Sequence, residues 1–263
     1  NVLGNRMRLL LNMPFVNKKV LEKIREQVVN AFGGKFYEII VGGAAFNQEV
    51  EQFLQRIEFP YTVGYGATEC APIICYADCH DFVAGSCGKP VVHMEVKIDS
   101  PDPQNVPGEI LARGLNVMLG YFKNEEATAQ TLDAEGWYHT GDLGLMDADG
   151  NVFIKGRSKN MLLGASGQNI YPEEIEDKLN SLNMVNECIV VQRGESLVGL
   201  VYPDFDEAAT MQLNDSDLEN IMEENRQELN ASQPPYCRLA AIEIVKEEFE
   251  KTPKKSIKRY LYK

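Results

Sequence analysis

The stretch from Phe153 to Glu176 limits what this chain can become more than any other. It opens as a strand and passes through the basic turn Gly156-Arg157-Ser158-Lys159. A short apolar run follows, and then the loop Gly164-Ala165-Ser166-Gly167. It closes on Tyr171-Pro172-Glu173-Glu174, where proline at a first helical position and early acids announce a helix. Upstream the chain is rich in glycine turns. Downstream it has the pattern of a small α+β unit. A charged turn between two such regions is a joint, which predicts two lobes with the chemistry in the cleft between them.

A length of 263 residues accommodates one large domain or two modest ones. The formal net charge of −13 argues against nucleic acid, because duplex binding rests on phosphate neutralisation. No run of 18 apolar residues exists, so no transmembrane segment is expected, while peripheral contact with a membrane stays open. The start, Asn1-Val2-Leu3-Gly4, has the look of the middle of a longer protein. Oligomeric state is not legible. Cys70, Cys75, Cys79 with His80, and Cys87 crowd one segment, but the paired Cys-x-x-Cys knuckles of structural zinc sites are missing. Free thiols in a reducing cytoplasm are the expectation. From Lys251 to Lys263 there are six basic residues and no acid, which suits either an anion contact or a solvated, frayed terminus.

In chain order, a helix over 18–32 is capped by Asn17 and stopped by Gly33-Gly34. A strand over 36–41 runs into Gly42-Gly43-Ala44, and a second helix starts near Asn47 and ends before Pro60. This alternation of strand, glycine turn and helix is an α/β pattern, with ligands expected at the carboxyl ends of strands. The strand Tyr61-Thr62-Val63 feeds Gly64-Tyr65-Gly66-Ala67-Thr68-Glu69. Gly64 and Gly66 let backbone approach a ligand, Tyr65 offers an aromatic face, Thr68 a hydroxyl for phosphate, and Glu69 a carboxylate for Mg²⁺. The same six residues also suit a plain tight turn. Strands are expected over 91–98 and 108–111, and a helix over 125–132 capped by Asn124. In Tyr138-His139-Thr140-Gly141-Asp142, the aspartate at a strand start can accept both hydroxyls of a ribose, or simply sit in a turn. Residues 147–151 form a hairpin turn. Beyond the joint come a helix over 172–182, strands over 188–192 and 197–202, a helix capped by Ser216 with Glu219 completing a box, and a strand over 241–245.

The order of these motifs carries more than each alone. Gly42-Gly43-Ala44, the Gly64–Glu69 turn, Pro107-Gly108-Glu109-Ile110 with Gly120-Tyr121, Tyr138–Asp142, Gly156–Lys159 and Lys251-Thr252-Pro253 together resemble the adenylate-forming (AMP-binding) enzymes. Within them, Thr68-Glu69-Cys70-Ala71-Pro72 and the ending Lys255–Tyr262 look most like bacterial long-chain fatty-acid–CoA ligases. The resemblance implies an α/β fold: the remnant of a large AMP-binding domain over 1–157, joined by a hinge to a small mobile α+β domain over 158–263. It implies an ATP-dependent acyl-CoA ligase acting on a carboxylic acid, ATP and coenzyme A, with Mg²⁺ as cofactor.

On residues, the resemblance puts Gly43 and Ala44 at the adenine and acyl pocket and Tyr65 on adenine. It puts Thr68 on the α-phosphate, Glu69 on magnesium, Asp142 on the ribose with Arg157 assisting, and Lys159 at the hinge. Small residues at Gly164 and Gly167 would pass the pantetheine arm. The family's phosphate loop is absent, which implies a fragment inactive by itself. In the family's tail pattern, Thr-Pro-x-x-Lys-Ile/Leu-x-Arg, a catalytic lysine stands where this chain has Ser256; Lys255 is the nearest substitute and Lys258 the next. Two other activities stay open: transfer of the acyl group to a carrier protein, and a catalytically weakened nucleotide- or acyl-binding protein.

Overall fold

In the computed structural model, residues 18–43, 46–164, 166–253 and 256–262 are described. Ala44, Lys254 and Lys255, and the capping role expected of Asn17, lie outside them. The chain divides into two compact units after Lys159.

The first unit begins with helix α1 (Lys18–Ala31), strand β1 (Ile39–Val41), helix α2 (Gln48–Arg56) and strand β2 (Tyr61–Val63). Asn47 caps α2 by accepting the Val50 N–H at 3.0 Å, and Glu49 and Glu51 in the first turn suit the helix dipole. β1 and β2 pair in parallel from Ile39–Tyr61 to Val41–Val63, the crossover that α2 supplies. Leu21, Ile24 and Val28 of α1, one face at helical spacing, pack with Phe53 and Leu54 of α2 on Ile57, Phe59 and Tyr61.

β3 (Tyr65–Gly66), β4 (Ile73–Tyr76) and β5 (Lys89–Pro90) form a small antiparallel sheet. β6 (Met94–Asp99), β7 (Gly108–Gly114), β8 (Tyr138–Met146) and β9 (Val152–Arg157) form a four-stranded antiparallel meander. Helix α3 (Glu125–Thr131) precedes β8 and is capped by Asn124. Ile98, Ile110, Ala112, Tyr138 and Val152 make the core of the meander together with Tyr65, Ile74 and three buried cysteines, Cys70, Cys75 and Cys87. The cysteine crowd of the sequence is therefore split. Three thiols fill the core, and Cys79 stays at the surface next to His80. Asp142 lies in the middle of β8, not at its start, because the strand begins four residues earlier.

The second unit opens with the hairpin β10 (Leu162–Leu163) and β11 (Asn169–Ile170), then α4 (Pro172–Asn180). β12 (Val185–Arg193) and β13 (Ser196–Pro203) are antiparallel, and β14 (Leu239–Ile244) joins β13 in parallel after α5 (Phe205–Thr210) and α6 (Asp215–Ala231). Alternate residues of the sheet are buried on both faces. Cys188, Val190 and Val201 meet Ile175 and Leu179 of α4 and Leu218, Met222 and Leu229 of α6. Ile189, Val191, Val198 and Leu200 meet Phe249, with Ile257 and Tyr262 of the tail. The cap of α6 is Asn214, not Ser216. Asn214 accepts the Asp217 N–H at 3.1 Å and Asp217 returns the bond at 2.9 Å, which leaves Ser216 inside the helix. Among the described residues no helix is long and apolar enough to cross a membrane.

Candidate functional site

The turn after β2 sets the first group of residues. Gly64 donates to Val41 O at 2.9 Å, which extends the β1–β2 pairing. A Cβ on Gly66 would meet Pro72 O at 2.1 Å, so only glycine lets the chain fold back there. Ala67 donates to Pro72 O at 2.8 Å and closes the turn. Gly43, at φ +91°, holds a conformation that a side chain would disfavour. Thr68 and Glu69 lie on a single 3₁₀ turn, Thr68–Cys70, with Thr68 exposed and Glu69 half-buried.

Tyr65 is not an open platform. Its side chain packs in the core of the first unit at 7 % exposure, and its hydroxyl donates to Asp142 Oδ2 at 2.6 Å. Burial, and after it the Asp142 charge, push the Tyr65 phenol up, so it stays a donor. Arg157, the last residue of β9, reaches Asp142 Oδ1 with Nε at 2.7 Å. One carboxylate is thus gripped from two strands, β3 and β9, and its own N–H is tied to Thr140 Oγ1 at 3.0 Å. Thr140 donates in turn to Ile110 O at 2.7 Å.

Glu69 is held in a similar way. Tyr121 donates to Glu69 Oε1 at 2.8 Å, and this bond pushes the Tyr121 phenol up. Met118 N–H bonds Glu69 O at 2.7 Å and Asn116 bonds Cys70 O at 2.6 Å, so the segment 116–121 braces the turn. Neither tyrosine contact was legible from spacing, since Tyr65–Asp142 spans 77 residues and Tyr121–Glu69 spans 52. His139, beside the aspartate in sequence, lies between Glu109 at 3.1 Å and Asp133 at 3.6 Å; Glu109 also accepts the Gly141 N–H at 2.9 Å.

Lys159 is exposed in a 3₁₀ turn, Ser158–Asn160, at the division between the units. In the second unit, Gly164 and Gly167 close a tight loop through Gly164 N–H to Gln168 O and Gly167 N–H to Gly164 O, both 2.8 Å. The basic tail is not frayed over its described residues. Lys251 bonds Glu187 at 2.5 Å, Lys258 bonds Glu250 at 3.0 Å, and Arg259 pairs with the buried Glu176, which also accepts the Val190 N–H. Ser256 is exposed, and it shares two bonds with Thr252 across the tail loop.

The sequence profile described as AMP-binding enzyme matches residues 5–122, and that of the AMP-binding enzyme C-terminal domain matches residues 159–262. The chain is 36 % identical over 198 residues to 4-coumarate-CoA ligase 1 of Narcissus pseudonarcissus, covering 70 % of this chain and 36 % of that protein. It is 37 % identical over 202 residues to the peroxisomal long chain acyl-CoA synthetase 7 of Arabidopsis thaliana, covering 72 % and 28 %. It spans about a third of the length of these relatives. Among solved structures it is similar to the anthranilate CoA ligase AuaEII in complex with anthranoyl-AMP, with a TM-score of 0.71 at 25 % identity over 86 % of this chain and 44 % of that one. The O-succinylbenzoate coenzyme A synthetase of Bacillus subtilis shares the fold, with a TM-score of 0.69 at 22 % identity over 89 % and 49 %.

Proposed function

The chain belongs to the AMP-binding, adenylate-forming enzymes, and from that premise we propose that its protein activates a carboxylic acid with ATP and passes the acyl group to coenzyme A. The observation that carries this proposal is the Asp142 carboxylate, held between the Tyr65 hydroxyl and Arg157 Nε. A carboxylate can accept about four hydrogen bonds, and a ribose presents two hydroxyls side by side. Tyr65 and Arg157 enter on one oxygen each, which fixes the plane in which a diol is received. Tyr65 thus acts by positioning Asp142 more than by offering a face to adenine.

Thr68 and Glu69 follow Tyr65 on the same turn and suit the phosphates. Glu69, an oxygen donor kept in place by Tyr121, fits Mg²⁺, whose bound charge would offset the repulsion between ATP and an incoming carboxylate. In the first step a carboxylate oxygen of the acid bonds to the α-phosphorus and pyrophosphate leaves. In the second, the thiol of coenzyme A bonds to the acyl carbon, AMP leaves and the thiol proton passes to solvent. Lys159 is the hinge between these steps, and the Gly164–Gly167 loop passes the thiol arm. A tail cation is required for the first step. Lys258 is paired with Glu250, so Lys255 is the better candidate for that role.

For the acid, the long-chain fatty-acid assignment draws support from the Arabidopsis relative, and the 4-coumarate ligases favour an aryl acid. ATP–pyrophosphate exchange by the full-length protein, run with palmitate and with 4-coumarate, tests both levels. Exchange with either acid that falls about a hundredfold in Asp142→Asn supports the assignment of the site. Absence of exchange with any acid overturns the ligase proposal and favours a nucleotide-binding protein.

A further inference from the structure

Outside the nucleotide site, the surface cysteine of the split cluster has neighbours that the sequence did not join to it. The turn after β4 folds back through Asp81 N–H to Asp78 O at 2.9 Å. It brings a carboxylate oxygen of Asp78, the Cys79 thiol and a ring nitrogen of His80 within 4.8 Å of one another. Ligands on a tetrahedral Zn²⁺, at about 2.0–2.3 Å from the metal, stand roughly 3.3–3.7 Å apart. Small side-chain rotations therefore suffice to close these three around one ion.

A second shell is already built. Tyr37, from the segment leading into β1, donates to Asp78 Oδ2 at 2.8 Å, and its ring meets His80 edge-on with centroids 5.9 Å apart. His80 N–H donates to Asp78 Oδ1 at 2.9 Å. Each carboxylate oxygen is thus oriented by a donor, and the imidazole is set by an aromatic edge. Outer partners of this kind fix ligand orientation in metal sites.

The charge around the cluster points the same way. Glu38 accepts the Cys79 N–H at 2.9 Å and pairs with Tyr76, so two carboxylates flank the thiol. Among the described residues no lysine or arginine forms an ion pair with Glu38 or Asp78. One thiol, one imidazole and one carboxylate form a mixed set that suits Zn²⁺ better than Mg²⁺ or Ca²⁺, which take oxygen alone. We propose that Asp78, Cys79 and His80 bind one Zn²⁺ at the surface of the first unit, with water in the fourth position and Tyr37 orienting the carboxylate. This site is independent of the ligase chemistry.

Cobalt(II) titration of the chelator-treated full chain tests it. The expected result is a thiolate-to-Co²⁺ charge-transfer band with visible bands of tetrahedral strength, saturating at one ion per chain and bleached by Zn²⁺. Cys79→Ser should abolish the charge-transfer band, and His80→Ala should weaken binding about tenfold or more. Cys237→Ser, at the other partly exposed thiol, should change neither. A band that survives Cys79→Ser, or no saturable band at all, overturns the proposal. Should the variants misfold, alkylation of the unaltered chain decides: Zn²⁺ must slow Cys79 labelling and leave Cys237 unaffected, and equal Cys79 rates with and without Zn²⁺ refute the site.

Discussion

Both units contain a buried carboxylate gripped by a guanidinium, and the two pairs differ in how far water reaches them. In the Asp142–Arg157 pair the arginine side chain is 52 % exposed and the aspartate 11 %. In the Glu176–Arg259 pair the values are 23 % for the arginine and 8 % for the glutamate. The first pair is a carboxylate kept straight, with a partner that can swing into solvent. The second is sealed under the tail, where neither charge can regain its hydration alone. The same chemistry therefore suits the proposed ligand binding in one unit and attachment in the other, and burial makes the difference.

The sharpest way to break this comparison is to remove one partner from the sealed pair. Arg259→Ala leaves Glu176 buried without its cation, and urea unfolding should show a loss of about 3–5 kcal/mol. A loss no larger than that of Arg157→Ala would mean the burial difference has no energetic consequence. For Arg157→Ala itself we expect a stability change of about 0–1 kcal/mol, as for other pairs open to solvent.

Asp142→Asn should reverse the order of effects. It keeps the shape but removes the charge proposed to receive the diol, so AMP affinity measured by calorimetry should fall about tenfold to a hundredfold, in line with about 1.5–3 kcal/mol for charged hydrogen bonds. Stability should shift far less than in Arg259→Ala. Tyr65→Phe is smaller still. It should cost about 1 kcal/mol of stability and a fewfold in AMP affinity, because Arg157 still aligns the carboxylate.

Lys159→Pro changes neither pair, only the exposed turn at the division of the units. Proline there fixes φ, so one half-reaction of the full-length protein should drop much more than the other. Equal loss in both, with an unchanged circular dichroism spectrum, would sink the hinge assignment.

The smallest effect belongs to a carboxylate with no guanidinium. The Trp137 N–H, despite opposing desolvation, holds Asp133 below the usual carboxylate range, with help from the Glu135 N–H. A depressed folded-state value means the stabilisation is present above the unfolded value of 3.8 and is lost as pH falls through the folded one. Asp133→Asn should therefore lower stability slightly near neutrality and flatten the acid limb of a stability–pH curve, so that variant and parent converge at low pH.

What the sequence made legible follows from how local each signal is. Asn124 stands alone before its helix and caps it as expected, and Asn47, near which a helix was expected to begin, is the cap of α2. Before α6, four residues able to cap stand in a row, Asn214-Asp215-Ser216-Asp217, and only the reciprocal bonds between the first and last choose the start. The helix Phe205–Thr210 was missed. It is short, and its cap Asp204 directly follows a strand. At the site, the residue types of the Gly64–Glu69 turn and of Asp142 were readable one by one. The inward face of Tyr65 was not, because glycines on both sides erase the alternation that shows which way a strand residue points. The tail was legible as charge alone, since its partners Glu176 and Glu187 lie more than 60 residues upstream.

The two anchors of the tail also set a leash. Lys251 is moored to Glu187 and Arg259 to Glu176, and the chain between them has a fixed contour. Ser256 stands three residues from one mooring and five from the other, so it cannot stray more than about 11 Å from the Arg259 backbone at full extension. For the tail cation proposed above, lengthening the leash by inserted glycines should dilute the charge without touching its chemistry.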